Sequence, residues 1–248
     1  MAFRLMKQAF GYYAKQLGSN PFEDVRNVTP GKADPNPLDA QSLDQVKSIL
    51  EHSAPDAFHT AIGLALRTGM REGEICGLRW RDVDPETGAI TVQNAIARKG
   101  GARCYQKGPK GRNGQITRRN IPGSPKIKQM LDARRTQMRK EAKTVGQRWS
   151  DDLFVVGKVD GTFYNPTMLY RKWMGLADGV GLRGTKGRTP VFHDLRHTYA
   201  TQALHARIDP VTVASIMGHK DPKLTMTVYA DAMPEAKQAA AMTMDDVL

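Results

Sequence analysis

Three stretches of the chain carry polar side chains at spacings suited to chemistry. Near the C-terminus, His193-Asp194-Leu195-Arg196-His197 sets a histidine and an arginine three positions apart, on one face if the segment is helical. Met217-Gly218-His219 follows, and Tyr229 comes ten residues after that histidine. Upstream, Thr68-Gly69-Met70-Arg71-Glu72-Gly73-Glu74 reads as a turn opening a helix, with Arg71 in the first turn. A cation there opposes the helix dipole. It gains from a nearby anion or from Glu74, three positions on. Arginine forks match phosphate oxygens at two points, and they stabilise the extra negative charge of a pentavalent transition state. Tyrosine can be a covalent nucleophile, but its phenol ordinarily titrates near ~10, so attack needs cationic neighbours or a base. A departing alkoxide needs a proton, which lysine or histidine can supply. Two arginines, two histidines, a lysine and a tyrosine therefore describe phosphoryl transfer that needs no metal.

Other chemistries lack their apparatus. There is no GxxxxGK[ST] loop, no GxGxxG after a strand, no HExxH and no GxSxG. Acidic residues are scattered, so neither a metal nor another cofactor is expected. Two cysteines, Cys76 and Cys104, make neither a disulfide framework nor a zinc set, and the compartment reads as reducing and cytoplasmic. No apolar run reaches the ~18 residues of a membrane span, and no secretory signal is expected in the N-terminal residues. Each polar residue also has a bland explanation. Arg71 and Glu74 can be a structural helix pair. His193 can be an N-cap or a packed histidine, His219 can close a turn, and Tyr229 can be a core aromatic.

Charge narrows the choice. The net value is +12. Between Arg98 and Lys143 there are 15 basic residues and two acidic ones, whereas the remainder carries 22 basic and 23 acidic. All the positive excess thus lies in one segment, as suits a polyanion whose phosphates release counterions on binding. Within it, Arg98, Lys99, Arg103, Lys107, Arg112, Arg118 and Arg119 are the expected DNA contacts. The alternatives are a solvated basic face or an anionic membrane surface.

The elements that must position these residues follow from periodicity. A helix runs from residue 1 to about 17, with Phe3, Met6, Phe10 and Tyr13 three or four apart, and Gly18 ends it. Residues 29–37 hold three prolines and a glycine, which makes a linker and a domain boundary near 37. Asp39 is a plausible N-cap for a helix carrying Leu43, Val46, Ile49 and Leu50. Further helices are expected over 55–67, with Phe58, Ile62 and Leu66 on one side, and over 72–78. Residues 89–97, 102–106 and 115–121 look like short strands. Helical patterns resume at 125–143, 166–177, 194–206, 210–217 and 222–230. The sum is a mostly α domain with a small antiparallel β-sheet (α+β).

At the polar boxes the sequence resembles a known family, the tyrosine recombinases or phage integrases. Thr68–Trp80, His193–Thr201, Met217-Gly218-His219 and Thr225-Met226-Thr227-Val228-Tyr229-Ala230 resemble its boxes, in its order. The likeness covers residues 38–248 and implies the family's catalytic-domain fold. Residues 1–28, with Asn20-Pro21, resemble the last helix of its core-binding domain, so 1–37 reads as the end of a truncated core-binding domain plus linker. Carried over, the resemblance makes Arg71 and Arg196 the holders of the scissile phosphate and His219 a hydrogen-bond donor to it. His193 becomes the acid/base partner of Tyr229, which attacks phosphorus to give a 3′-phosphotyrosyl link. Glu74 orients the site. Lys110, in Gly108-Pro109-Lys110-Gly111-Arg112, protonates the leaving oxygen, with Lys107 as the alternative. Residues 111–117 form a longer tip than is usual there. Arg207 replaces a common glycine, and Asp231 a common histidine.

The implied function is site-specific recombination of double-stranded DNA, with a tetramer in the synaptic complex. The tail 234–248 docks either on its own domain or on a neighbouring protomer. The rival is a DNA-binding regulator or architectural protein that keeps the fold without cleaving. A metal-dependent phosphohydrolase on His193-Asp194 would need further ligands, which the sequence does not place nearby.

Overall fold

The computed structural model describes residues 2–18, 20–21, 34–98, 104–107 and 118–218. The chain divides into two units, Met1–Asp34 and Pro35–Leu248. In the first, α1 (Ala2–Leu17) ends where Gly18 takes a positive φ of 75°. The Asn20 side chain donates back to the Lys7 carbonyl at 3.3 Å.

The second unit is a helical body with short β ladders. Its helices are α2 (Ala40–His52), α3 (Ala57–Thr68), α4 (Glu72–Gly77), α5 (Pro125–Thr144), α6 (Pro166–Gly179), α7 (Asp194–His205) and α8 (Pro210–Met217). Their starts are written in the sequence. Asp39 and Asp56 accept backbone N–H groups of Ser42 and His59. Ser124-Pro125, Asn165-Pro166 and Asp209-Pro210 each join a capping side chain to a proline in the first turn. The expected helix over 55–67 begins only at Ala57, because Asp56 has the extended backbone of an N-cap. That helix is also not one-sided. Phe58, Ala61, Ile62, Leu64 and Ala65 are all buried, because α4, α5 and α7 pack around it. The expected helix over 222–230 lies outside the described residues.

The strand region departs from one simple sheet. Residues 89–97 divide into β1 (Ile90–Val92) and β2 (Ala95–Arg98). β3 (Cys104–Lys107) folds back antiparallel onto β2, and β4 (Arg119–Ile121) pairs with β1. Paired positions sum to 211 in the β1–β4 ladder and to 202 in the β2–β3 ladder, so the return limb carries nine additional residues. Gln93 and Asn94 alone bridge the outgoing limb, and both side chains donate to the Asp82 carboxylate. That anchor interrupts the strand.

α4 lies directly on β2. A Cβ added at Gly73 would sit 2.5 Å from the Ile96 carbonyl oxygen, and one at Gly77 would sit 2.9 Å from the Ala95 Cα. Two glycines four apart thus let the helix backbone approach the strand closely. The main core gathers Ile62, Leu64, Ile75, Trp80, Ile90, Ile121, Phe154, Trp173 and Phe192. A smaller cluster of Ala200, Leu204, Val213 and Met217 joins α7 to α8. Among the described residues no helix is long and apolar enough to cross a membrane.

Candidate active site

The site assembles where the α3–α4 turn, β4, the start of α7 and the end of α8 meet. Gly69 closes α3 with φ 61°, and its N–H donates to the Ala65 carbonyl. The reversal places Arg71 at the N-cap of α4. There the Arg71 backbone N–H donates to Glu74 Oε2 at 3.0 Å and its Nη1 to Glu74 Oε1 at 3.0 Å. The Arg71 Nη2 reaches across to the Gly218 carbonyl at 3.0 Å. Its side chain is still 42% exposed, whereas Glu74 is 4% exposed.

A second guanidinium meets the same carboxylate. Arg119 donates through Nη1 to Glu74 Oε1 at 3.0 Å and through Nη2 to Oε2 at 2.7 Å. Its Nε donates to the Ile216 carbonyl at 2.8 Å. Burial alone would push the Glu74 carboxyl up. The hydrogen-bonded charge of Arg119, and then Arg71, outweigh burial and bring it down to about 2.

Arg196 lies in the first turn of α7 and is 2% exposed. Its Nη1 donates to the Gly69 carbonyl. Its Nη2 is buried with no hydrogen-bond partner among the described residues. Burial, with Arg71 next, pulls its pKa down to about 9, so it stays charged at neutral pH. A buried, half-satisfied cation beside another cation is a built demand for an anion.

His193 precedes α7 in helical conformation and packs edge-to-face on His197, ring centroids 5.1 Å apart. Solvent reaches it, but the protein packed behind its ring desolvates it. That, with His197, Arg196 and Arg71, lowers its pKa to about 4 against the pull of Glu74. It is therefore neutral near pH 7 and able to take a proton.

Of the residues expected to act, the structure brings Arg71, Glu74, His193 and Arg196 together. His219 directly follows the Gly218 held by Arg71, but it lies outside the described residues, as do Lys110 and Tyr229. Among the expected DNA contacts, Lys99, Arg103 and Arg112 also lie outside them. Arg98 and Lys107 end the β2–β3 ladder, and Arg118 is exposed just before β4.

Arg119, the last of the expected DNA contacts, lies inside the site. Its side chain is 11% exposed and turned into the site, held by Glu74. The period-2 alternation of β4 carries the signal. Arg119 shares a strand face with buried Ile121, while Asn120 between them is exposed.

Comparison with known proteins gives this geometry a family. The profile of the phage integrase family matches residues 39–235. A tyrosine recombinase XerC-like protein of Caldanaerobacter subterraneus subsp. tengcongensis is 26% identical, over 98% of this chain and 64% of that protein. The prophage integrase IntR of Escherichia coli is 25% identical, over 89% of this chain and 53% of that protein. This chain thus spans between half and two thirds of the length of those relatives. A structure of the Tn1549 transposon integrase in complex with circular intermediate DNA aligns with TM-score 0.67 and 26% identity, covering 98% of this chain and 78% of that one. With the profile spanning residues 39–235, most of its length, the chain belongs to the phage integrase family.

Proposed function

We propose that this chain carries the catalytic machinery of a site-specific DNA recombinase. It cuts and rejoins strands of double-stranded DNA through a covalent 3′-phosphotyrosyl intermediate. The observation that carries the reading is the pairing of Arg71 and Arg196, one open to solvent and one buried with an Nη2 that has no partner among the described residues, around a neutral His193. Two guanidiniums fit two nonbridging phosphate oxygens, and their preorganised charge favours the pentavalent transition state over the ground state.

The atoms balance as follows. The Tyr229 phenol oxygen bonds to phosphorus in line with the 5′-oxygen, and its proton passes to His193. The bond from phosphorus to the 5′-oxygen breaks, and that oxygen takes a proton from Lys110, or from Lys107 as the alternative donor. His219 donates to a nonbridging oxygen. Religation is the reverse, with a 5′-hydroxyl of the partner strand as nucleophile. Exchange between two duplexes calls for four protomers. The tail 234–248 either packs on its own domain or bridges to a neighbour, and loss of synapsis in a chain ending at Met233 would identify the second.

The test is a nicked DNA duplex carrying a cognate site taken from the sequence flanking the coding region, incubated with the chain in chelator. A covalent protein–DNA adduct should form, and Tyr229→Phe should abolish it. An equally abundant adduct from that variant removes Tyr229 as nucleophile. Tight DNA binding with no adduct from the unaltered chain favours the regulator reading.

A further inference from the structure

We propose that Arg119 is a positioning residue for strand cleavage, holding the end of α8 in place and occupying the Glu74 carboxylate so that the charge of Arg71 stays available to the scissile phosphate. The inference rests on the recombinase reading above and assigns a residue that the boxes of the sequence do not contain.

Three N–H groups of Arg119 aim at three acceptors on two elements: both Glu74 oxygens on α4 and the Ile216 carbonyl on α8. The Ile216 carbonyl belongs to the last turn of α8, beyond the Ala214 and Ser215 carbonyls that the Gly218 N–H caps. The Arg119 side chain also lies close against Gly218, which follows α8. A Cβ added at Gly218 would come within 2.9 Å of Arg119 Nη1, and Gly218 has φ 67°. From the other side, Arg71 takes the Gly218 carbonyl. Two arginines bound to one carboxylate thus grip two carbonyls at the end of α8, immediately before His219.

Exposure divides the labour between them. Arg119, at 11%, is spent on the interior, whereas Arg71, at 42%, faces outward. One buried carboxylate facing two cations leaves the cluster positive. Without Arg119, Glu74 would have only Arg71 to neutralise it on that side and would draw that guanidinium inward. The end of α8 would lose a fixed point as well. A lysine at 119 keeps the charge but cannot span all three acceptors, because an ammonium is a point donor rather than a fork.

The experiment measures single-turnover adduct formation on the nicked cognate duplex by the full chain. Arg119→Gln, Arg119→Lys and the double variant Arg119→Gln/Glu74→Gln are compared with the unaltered chain, alongside DNA affinity and melting temperature. Arg119→Gln should slow adduct formation by about 100-fold or more, with DNA affinity changed by less than about threefold, since its donors are committed to Glu74 and the Ile216 carbonyl. Arg119→Lys should recover part of the rate. The double variant should be no slower than Arg119→Gln, because the two residues act as one unit.

The pH profile separates this role from a purely structural one. Among the described residues, Glu74 faces Arg71, Arg119, His193 and Arg196. Loss of Arg119 leaves burial less opposed, so the acid limb of the cleavage rate should move to higher pH. A rate for Arg119→Gln within about threefold of the unaltered chain overturns the proposal. So does an Arg119→Lys variant that folds normally yet recovers nothing while its pH profile stays unshifted. Absence of adduct from the unaltered chain instead overturns the recombinase reading itself, so the two failures are distinct.

Discussion

The carboxylate of Asp194 accepts the backbone N–H of Asn36 at 3.1 Å, joining positions 158 apart in the chain. Its other oxygen accepts the Val191 N–H at 2.8 Å. One turn along α7, Thr198 Oγ1 accepts the Leu38 N–H at 2.9 Å while donating to the Asp194 carbonyl at 2.8 Å. The segment that leads into α2 is therefore sewn to the helix that carries Arg196. Asn36 extends the seam, since its side chain binds the Arg188 carbonyl and the Lys186 N–H, both at 2.9 Å.

This seam predicts large losses from small changes. Asp194→Ala strands two backbone donors, one of them on Asn36, which is 3% exposed. The expected cost is about 2–4 kcal/mol, above that of a typical neutral hydrogen bond because the acceptor is charged. Thr198→Val should cost about 1–3 kcal/mol by stranding the Leu38 N–H. Urea midpoints measure both, and unchanged midpoints would refute the seam as a source of stability.

The buried guanidinium of Arg196 gives a sharper test of function. Its Nη1 holds the Gly69 carbonyl, and its Nη2 has no described partner. A lysine can serve only one of those positions. Arg196→Lys should lower single-turnover adduct formation by about 100- to 1,000-fold, with a much smaller change in DNA affinity. A rate equal to that of the unaltered chain would show that the free N–H is not a phosphate ligand.

Much of this fold was legible in the sequence because its helix starts are local. Asp39 and the three capping residues followed by proline act within one turn of their own positions. Trp80, Trp149 and Trp173 read as packing anchors; Trp80 and Trp173 are buried, and Trp149 is partly buried against the same core. What the sequence could not show depends on contacts between distant segments. Segment charge assigned Arg119 and Arg134 to the basic field. Yet Arg134 is 2% exposed, donating to the Val155 and Gly157 carbonyls, and Arg119 is committed to Glu74. Counting charges cannot reveal which way a side chain turns. The division of residues 89–97 into two strands depends on Asp82, which binds Gln93 and Asn94 from outside the strand. Likewise the box around His193 marked Asp194 only by its neighbours, and its partner Asn36 lies in what reads as linker.

Acid should weaken the fold in a defined window. Glu74 ordinarily titrates at 4.5 and at about 2 here. A depressed carboxyl contributes stability that is present above the unfolded value and lost as pH falls through the folded one. From these values the contribution is roughly 3 kcal/mol, lost between about pH 5 and pH 2. His193 and His197 are also lowered, each chiefly by burial. Their neutral forms fit the fold, so their contribution begins to fade just below the ordinary histidine value of 6.5. All three act in one direction. Denaturant midpoints should therefore fall steadily from pH 7 toward pH 3, and a midpoint constant down to pH 4 would contradict the sign.

Gly69 offers a test with an internal control. Its φ of 61° alone disfavours any other residue, and a Cβ there would lie 2.5 Å from the Tyr199 ring and 3.2 Å from Met217 Cγ. Gly181 has a comparable φ of 71° with nothing within 4 Å. Gly181→Ala should therefore cost only the left-handed backbone penalty, about 1–2 kcal/mol. Gly69→Ala carries that penalty plus the displacement of Tyr199, for about 2–4 kcal/mol in all. Because the Gly69 carbonyl holds Arg196, Gly69→Ala should also slow adduct formation by at least about tenfold. Gly181→Ala should leave that rate alone. Equal losses of stability and equal rates in the two variants would mean that the turn before Arg71 does not set the position of Arg196.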